Sequence, residues 1–401
     1  MNTLSNQLKT HLIDPRYHSN KRTLVKIDPN KMFLGNLRLG NLGCVTNNPN
    51  AKYNCVGGVT NLFKNIFLYN GKELIDCLRN ANDYLSADSF NRSNSKQRSI
   101  EVQAIANDMN FELNNGYQVT IDEEPDNATD DADTTKNCIL DLTRALKFLN
   151  VGYLPTMLMP ELQLVIEWNT NDVLRDAADN VVSVNEPVLI IDELVDETKY
   201  ETIIDMFRKG IQFDSIENDR MVIEAQANPG NNQTTDQTVK ARIDGFNRKI
   251  VSNVLLVTKP STRQDRVGVT NSVAQFNENI RFTLNGKALL PYFQIDSSAI
   301  KLGLHKDIFG NSSMFWGANE YHTIANTDPY ADNKVRDLYK HLSYGAIRID
   351  DYVQNLQVQY DRTSVHNLGK TYELLQLFFF GHVRKMIMVA ENGDIQVGYV
   401  Q

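Results

Sequence analysis

Apolar and polar residues alternate in short segments along most of the chain, and residues typical of turns separate these segments. A pattern with a period of two is typical of β-strands that bury one face. Leu162–Trp168 is the clearest strand, and Val188–Val195 is a further strand with a buried, apolar sequence; both are rich in β-prone residues. The pattern predicts an all-β chain with strands at 23–27, 32–39, 117–121, 162–168, 188–195, 221–225, 250–257, 355–360, 385–390 and 395–400. It also predicts a strand and hairpin at 61–76 and a second hairpin at 275–292.

One hairpin pattern occurs twice. Asn70-Gly71 follows the apolar segment 65–69, and Asn285-Gly286 follows the similar segment 281–284. Asn-Gly between β-prone segments predicts a type I′ turn, because both residues tolerate a positive φ. The two pairs lie 215 positions apart (285 − 70), a little over half of the 401 residues. Chance explains the motif alone equally well, but strand, loop, strand, loop and hairpin recur in both halves, which favours an internal duplication.

Three segments favour helices. The segment from residue 77 has Ala81, Tyr84 and Leu85 at helical spacing and then becomes a polar loop up to about residue 112. Apolar residues at helical spacing also predict helices at 139–149 and 196–209, each ended by a glycine. The apolar segment 371–380 is compatible with either a strand or a helix.

The length of 401 residues exceeds that of one ordinary domain, so we expect two. The boundary is expected near Gly210, where a predicted helix ends and the order of elements starts again. The first β-domain is therefore expected at 22–211 and the second at 212–401. Residues 1–21 are polar and lack periodicity, which predicts an N-terminal arm that is ordered only by a neighbouring molecule, if at all.

Two loops have distinctive compositions. Residues 122–133 carry dense carboxylates without the glycine and terminal glutamate of an EF-hand, so we expect a solvated surface loop rather than a calcium site. Residues 305–345 contain Trp316, Tyr321 and Tyr330 among glycine, asparagine and aspartate. A long loop with its own aromatic residues is typically packed or functional.

Composition limits the classes of function. Hydrophobic residues make up 41% of the chain and charged residues 22%, as in globular proteins. The chain has 41 basic against 49 acidic residues, which argues against broad nucleic-acid binding. The four cysteines lack the paired spacing of a zinc site, so we expect buried thiols in a reducing compartment: Cys44, Cys55, Cys77 and Cys138. Without a signal-peptide pattern or an apolar segment of the ~20 residues that span a membrane, we expect synthesis inside the cell.

No catalytic constellation has the required spacing. The sequence contains no nucleophile elbow, phosphate-binding loop or dinucleotide-binding glycine motif, and no two of its seven histidines stand at i and i+4. Glu320 and His322 are close in sequence, but they lie in a loop-rich segment without a further ligand nearby, so we expect them to be solvated. We therefore predict no catalytic, cofactor-binding or metal-binding residue and no enzymatic activity.

An ordered series of segments resembles the double jelly-roll major capsid proteins of Polinton-like viruses, Mavericks and virophages. The segments that carry the resemblance are Gly71–Ile75, Leu140–Leu142, Tyr153–Thr156, Leu162–Trp168, Pro187–Leu194 and Phe282–Pro291. The resemblance covers most of residues 60–295, whereas the C-terminal third matches only by pattern.

The resemblance implies two tandem eight-stranded jelly-roll sandwiches and a role as a viral major capsid protein. Three chains would form a pseudo-hexagonal capsomer, and capsomers would tile an icosahedral shell around a DNA genome. The expected partners are two further copies, neighbouring capsomers, and penton and minor capsid proteins; the expected location is the virion. The resemblance implies no cofactor, and contact with an internal membrane stays open.

Two other functions fit a β-sandwich chain. A receptor- or glycan-binding protein, similar to a fibre or lectin, would use the aromatic loop at 305–345 as its ligand site. A carbohydrate-active enzyme would need two carboxylates that face each other across a cleft, and the sequence alone does not place such a pair. The internal duplication and the lack of catalytic motifs favour the capsid protein over both.

Overall fold

The structure, a computed structural model, describes residues 8–47, 51, 53, 58–92, 138–171, 173–174, 179–224, 234–260, 275–289, 344–365, 374–390 and 394–400. Strands up to residue 194 pair with one another, and strands from residue 211 onward pair with one another. Each group forms two main antiparallel sheets around a buried apolar core. The chain is therefore an all-β protein of two tandem jelly rolls, as the sequence predicted.

The elements follow one another in two series. The strands of the first roll are β1 (Leu8–Ile13), β2 (Tyr17–His18), β3 (Arg22–Lys26), β4 (Met32–Leu34), β5 (Arg38–Leu42), β6 (Cys44–Thr46), β7 (Phe63–Asn70), β8 (Glu73–Arg79), β9 (Cys138–Asp141), β10 (Tyr153–Pro155), β11 (Leu162–Trp168), β12 (Val181–Val184) and β13 (Val188–Leu194). The strands of the second roll are β14 (Ile211–Glu224), β15 (Thr234–Ile243), β16 (Lys249–Pro260), β17 (Gln275–Leu284), β18 (Lys287–Ala288), β19 (Tyr344–Val353), β20 (Leu356–Val365), β21 (Leu374–Val389) and β22 (Ile395–Tyr399).

Helices occupy a few connections. Helix α1 (Ala81–Arg92) follows β8, and helix α2 (Tyr200–Lys209) connects the two rolls. Short 3₁₀ helices lie at Gly58–Leu62, Leu142–Arg144, Lys147–Val151 and Glu197–Lys199. Both α-helices match the sequence predictions, and α2 is followed by Gly210, which has a positive φ of 91°.

The two rolls have the same strand order. In the second roll one sheet has the order β14-β21-β16-β19 and the other has β15-β20-β17-β18. In the first roll the corresponding orders are β1-β13-β5-β9 and β3-β11-β7-β8. Two short strands are added to the first of these sheets: β4 pairs with β13, and β10 pairs with β4. The connections also run in the same sequence along the chain. This repeated topology supports the internal duplication that the two hairpins suggested.

The predicted strand at 32–39 is divided into β4 and β5. The break lies at Gly35, where the chain passes close to a 3₁₀ turn of the same roll. A β-carbon at this position would stand 2.0 Å from the carbonyl oxygen of Leu149. Only glycine therefore allows the backbones to approach this closely.

The prediction of a separate N-terminal arm at 1–21 is corrected by the structure of its described part, residues 8–21. From residue 8 onward this segment is part of the first roll, because β1 pairs along its whole length with β13, from Leu8 opposite Leu194 to Ile13 opposite Leu189. Strand β2 pairs with β3. The prediction was wrong because β1 is an edge strand with one largely exposed face, so its apolar residues do not form the alternation of a half-buried strand.

The two Asn-Gly hairpins have different turns. In the second, Leu284 pairs with Lys287, and Asn285 and Gly286 both have positive φ, of 51° and 82°. In the first, Asn70 still pairs with Glu73, so the turn is formed by Gly71 and Lys72, and Gly71 has a φ of 58°. The type I′ prediction therefore fits the second hairpin, whereas the first is displaced by one residue.

The helix predicted at 139–149 is absent and is replaced by β9 and two 3₁₀ helices. Asp141 interrupts the helical pattern, because its carboxylate accepts a hydrogen bond from the backbone N–H of Thr143 and caps the first 3₁₀ helix. The segment 371–380, for which strand and helix were both open, is strand from residue 374 onward. Strand β15, which begins at residue 234, was not predicted.

Several predictions lie outside the described residues. They are the strand at 117–121, the acidic loop at 122–133, Cys55, Glu320 and His322, and almost all of the aromatic loop at 305–345.

Candidate functional site: the interface between the two jelly rolls

Strand β21 is buried on both faces. Phe379 packs in the core between the two sheets of the second roll, whereas Phe378 and Phe380 belong to the buried cluster that continues into the first roll. In the neighbouring strand β16, Leu256 packs in the core of the second roll, whereas Leu255 belongs to the cluster that continues into the first roll. A strand with two buried faces has a continuous apolar sequence instead of an alternating one. This explains why the sequence pattern left the segment undecided.

The first roll contacts the β14–β21 pair from both sides. On one face, the ring of Tyr84 in α1 packs against Phe380 with centroids 5.4 Å apart, and its hydroxyl is hydrogen-bonded to His382 Nε2 at 2.9 Å. On the other face, Phe148 packs against Phe213 at 5.2 Å. Successive side chains of a strand point to opposite faces. Ile216 lies opposite His382 in the neighbouring strand and shares its face, whereas Phe213, three residues earlier on the same strand, points to the other face. The first roll therefore clamps this edge of the second.

Asp76 forms the polar centre of the clamp. Its side chain is buried on β8 and accepts three hydrogen bonds: from Ser215 Oγ of the second roll at 2.6 Å, and from the backbone N–H groups of Cys77 and Phe148, both at 2.9 Å. Burial raises the pKa of the Asp76 carboxyl above its usual range, and the three hydrogen bonds and the charge of Lys385 offset only part of that rise. The Asp76 carboxylate thus links β8 and the 3₁₀ helix Lys147–Val151 of the first roll to β14 of the second roll.

A second polar cluster lies beside Asp76 and is built by the second roll. Glu217 accepts from Lys249 Nζ at 2.6 Å, from Lys385 Nζ at 2.9 Å and from the hydroxyl of Tyr399 at 2.8 Å. Both ammonium groups also lie over the Tyr399 ring, at 4.8 and 5.3 Å from its centroid. Burial raises the pKa of the Glu217 carboxyl, but the two lysines outweigh it and hold that pKa below its usual range. The cluster fixes the C-terminal strand β22 against β14 and β16.

A buried ion pair positions α1 in the clamp. The Asp88 carboxylate on α1 accepts from Arg144 Nε at 2.6 Å, and the Asp88 side chain is fully buried. Arg144 belongs to the 3₁₀ helix that leads to Phe148. The pair therefore links the two elements of the first roll that hold opposite faces of the second.

The contacts of this interface hold the two rolls against each other. In the described part of the chain, no three His, Cys, Asp or Glu side chains form a group that could hold a metal ion. Cys44, Cys77 and Cys138 are buried thiols, as expected. Burial, and next the negative charge of Asp76, raise the pKa of the Cys77 thiol to about 11, so it is not poised as a nucleophile. Within the described ranges, no helix is both long and apolar enough to cross a bilayer.

The interface residues were not singled out by sequence reasoning. One signal was present: Asp76 interrupts the apolar segment Leu74–Leu78, and a carboxylate inside a strand that is otherwise buried needs partners. Those partners, Ser215 and Phe148, lie far away in sequence, so the pattern alone does not find them.

The fold and the clamp between its halves define a class of protein, the double jelly rolls. Among solved structures, the chain is similar to the mavirus major capsid protein, with a TM-score of 0.54 and 11% identity over 98% of this chain and 90% of that one. It is similar to the Sputnik virophage structure from cryo-EM, with a TM-score of 0.56 and 10% identity over 98% of this chain and 88% of that one. It is also similar to PBCV-1 VP54, fitted into a Sputnik reconstruction, with a TM-score of 0.58 and 10% identity over 98% and 97%.

These likenesses show the fold. The chain has the double jelly-roll architecture found in major capsid proteins of virophages and large DNA viruses, and the match extends over nearly its whole length. Comparison of the sequence with protein-family models and with curated proteins finds no match.

Proposed function

We propose that this chain is the major capsid protein of a DNA virus and that it assembles into a capsid as a structural protein without enzymatic activity. The observation that carries the proposal is the double jelly roll, matched end to end by virophage capsid proteins. The buried interface between the rolls adds support, because it joins the two sandwiches through a shared apolar cluster. Such a joined pair is suited to packing side by side in a shell.

The proposed capsomer is a homotrimer with a pseudo-hexagonal outline. The same topology occurs twice in the chain, so three chains would supply six equivalent sandwiches. A head-to-tail contact that repeats around a ring closes into a cyclic oligomer. In the virion, capsomers would contact one another and penton and minor capsid proteins. We propose that the boundary between the two repeated units lies near residue 211, where β14 begins.

Single-particle electron microscopy of the purified protein tests this proposal. Class averages with three-fold symmetry and a near-hexagonal outline are expected, together with the mass of three chains in light scattering. Monomers or elongated fibres at all concentrations would contradict the trimeric capsomer.

A further inference from the structure

One sheet of the first roll carries a row of apolar side chains on the face that points away from the core. In β3, β11 and β7, core residues alternate with residues that point outward. The strand register places these outward side chains opposite one another: Tyr17, Leu24, Val165, Phe67 and Cys77. None of the five belongs to either buried apolar cluster or to the side chains packed against it. We call this surface of strands β2, β3, β11, β7 and β8 the outer sheet face.

Two aromatic rings lie side by side on the outer sheet face. Phe67 and Tyr69 alternate with core residues along β7, and their ring centroids are 5.8 Å apart with 32° between the ring planes. Both side chains are partly exposed, and Tyr17 at the far edge of the sheet is 56% exposed. Rings held on a strand with part of their surface open can stack against planar groups of a ligand.

The outer sheet face differs in charge from the chain as a whole. Arg22 and Lys26 point outward from β3, and Arg79 points outward from β8. Glu167 is the carboxylate in these rows, and it accepts a hydrogen bond from Asn65 at 2.6 Å. Three cations and one carboxylate give this face a net charge of +2 (3 − 1), whereas the whole chain has a net charge of −8. The surface is therefore suited to an anionic partner.

The equivalent sheet of the second roll shows that the apolar row is not a requirement of the fold. Its two rows nearest the Asn285-Gly286 turn are hydrophilic: Lys240, Gln359 and Arg281, and then Arg242, Gln357 and Thr283. All of these side chains except Thr283 are exposed. Both faces thus carry cations, but these rows of the second roll lack the rings and aliphatic side chains of the first. An apolar surface that the topology does not need indicates a binding site.

We propose that the outer sheet face binds single-stranded nucleic acid. The bases stack on Phe67 and Tyr69, and the phosphates pair with Arg22, Lys26 and Arg79. Sheet surfaces that hold unpaired bases combine aromatic rings with basic residues in this way. The cations favour a polyanion over a neutral apolar partner, and the rings favour one with planar apolar groups. The site is local, so it is compatible with the acidic composition that argues against broad nucleic-acid binding.

Fluorescence anisotropy with the full chain tests the proposal. The probes are a labelled oligothymidylate and a labelled oligouridylate, each of about 20 nucleotides, which exceeds the footprint of one sheet surface. Saturable binding that weakens as the salt concentration rises is expected. Binding of either probe supports the site, and the ratio of the two dissociation constants shows whether deoxyribose or ribose is preferred. Absence of binding to both probes, or equal affinity for a duplex of the same length, overturns the proposal.

A variant without the two rings tests stacking. Phe67→Leu combined with Tyr69→Leu keeps the surface apolar and removes the aromatic platform. We expect the dissociation constant for the oligothymidylate to rise about fivefold or more. An unchanged dissociation constant would overturn the assigned site.

A matched pair of charge variants tests the position of the site. Arg22→Gln combined with Lys26→Gln should raise the dissociation constant and reduce its dependence on salt, because phosphate contacts are lost. The control is Lys240→Gln combined with Arg242→Gln, which removes two exposed cations from the equivalent strand β15 and should leave the affinity unchanged. Equal effects of the two variants would show that binding is not confined to the outer sheet face and would overturn the assignment.

Cross-linking of the wild-type chain covers the case in which the leucine variant has a lowered melting temperature. The chain is irradiated with an oligonucleotide that contains bromodeoxyuridine, and the adducts are located by mass spectrometry. Adducts on the peptide that contains Phe67 and Tyr69 support the site, whereas adducts confined to the second roll overturn it. Electron microscopy tests the proposed capsomer independently, so failure of one proposal is distinguishable from failure of the other.

Discussion

A single carboxylate at the junction of the rolls illustrates how a buried charge can join two domains. Asp76 accepts hydrogen bonds from a side chain of the other roll and from two backbone groups, so its removal would leave several buried donors without an acceptor. Its raised pKa means that the folded chain holds the proton more readily than the unfolded chain. The contribution of Asp76 to stability therefore falls as the pH rises through the interval above about 3.9, the usual value for Asp.

Replacing Ser215 by Ala tests this linkage. The variant loses a donor to the ionised carboxylate, which we expect to lower the free energy of unfolding by about 1.5–3 kcal/mol at neutral pH. Ser215 favours the ionised form, so its loss raises the Asp76 pKa further. The cost of S215A should therefore shrink as the pH falls and Asp76 is protonated in both proteins. Urea unfolding at several values between about pH 4 and pH 7 measures it.

Ser252→Ala serves as the control for S215A. Its hydroxyl lies 3.3 Å from the half-exposed Asp214 carboxylate, and both residues belong to the second roll. We expect a smaller loss of stability from S252A. A cost of S215A that stays constant over the whole pH range would show that Asp76 does not change protonation in that interval.

At the scale of elements, β21 shows what alternation means when both faces are buried. Leu377–Phe380 is an unbroken apolar segment, yet Leu377 and Phe379 serve one core and Phe378 and Phe380 serve the other. The next residue of the strand is Gly381, and a β-carbon at this position would stand 2.8 Å from the ring of Phe246. One strand thus belongs to two packing layers.

The variants Phe379→Ala and Phe380→Ala separate the two layers. Each removes a fully buried ring, and we expect each to cost about 3–5 kcal/mol of stability. Hydrogen–deuterium exchange should differ between them. Phe379→Ala should increase exchange in β17 and β20, which share its core, and Phe380→Ala should increase exchange in α1, where Tyr84 packs on the ring. The same exchange pattern in both variants would contradict two separate layers.

The sequence predicted many of the strands and helices, and it missed others for identifiable physical reasons. Strand β11 is rich in apolar and β-prone residues, and α2 has a regular apolar stripe and a terminal glycine, so both were found. The edge strand β1 and the short strand β9 followed by 3₁₀ turns have no reliable local signal. The interface residues were missed because the partners of Asp76 are distant in sequence and local patterns do not report them.

At the scale of the whole molecule, the two rolls share one buried apolar cluster and are connected by a segment whose first residues are exposed. Val195 in that connection is 50% exposed, and α2 begins a few residues later. The apolar cluster of the first roll includes residues of the second, so cohesion comes from the interface and not from the covalent link.

Cutting the connection tests this cohesion. A protease recognition sequence inserted after Val195 should allow complete cleavage, and the two fragments should still elute together at the mass of the intact protein. Adding denaturant to the cleaved sample should separate them, which controls for incomplete cleavage. Fragments that part in native buffer would show that the interface is too weak to hold the rolls together.

The position of β1 also has a consequence for synthesis. Its side chains meet their partners on β13 182 residues further along the chain. At ribosomal rates of about 5–20 residues per second, β1 waits on the order of ten seconds or more before its partner emerges. During that time β1 lacks its partner strand on every nascent chain. Folding yield, rather than the stability of the finished protein, is therefore where changes in Leu8–Ile13 should be felt first.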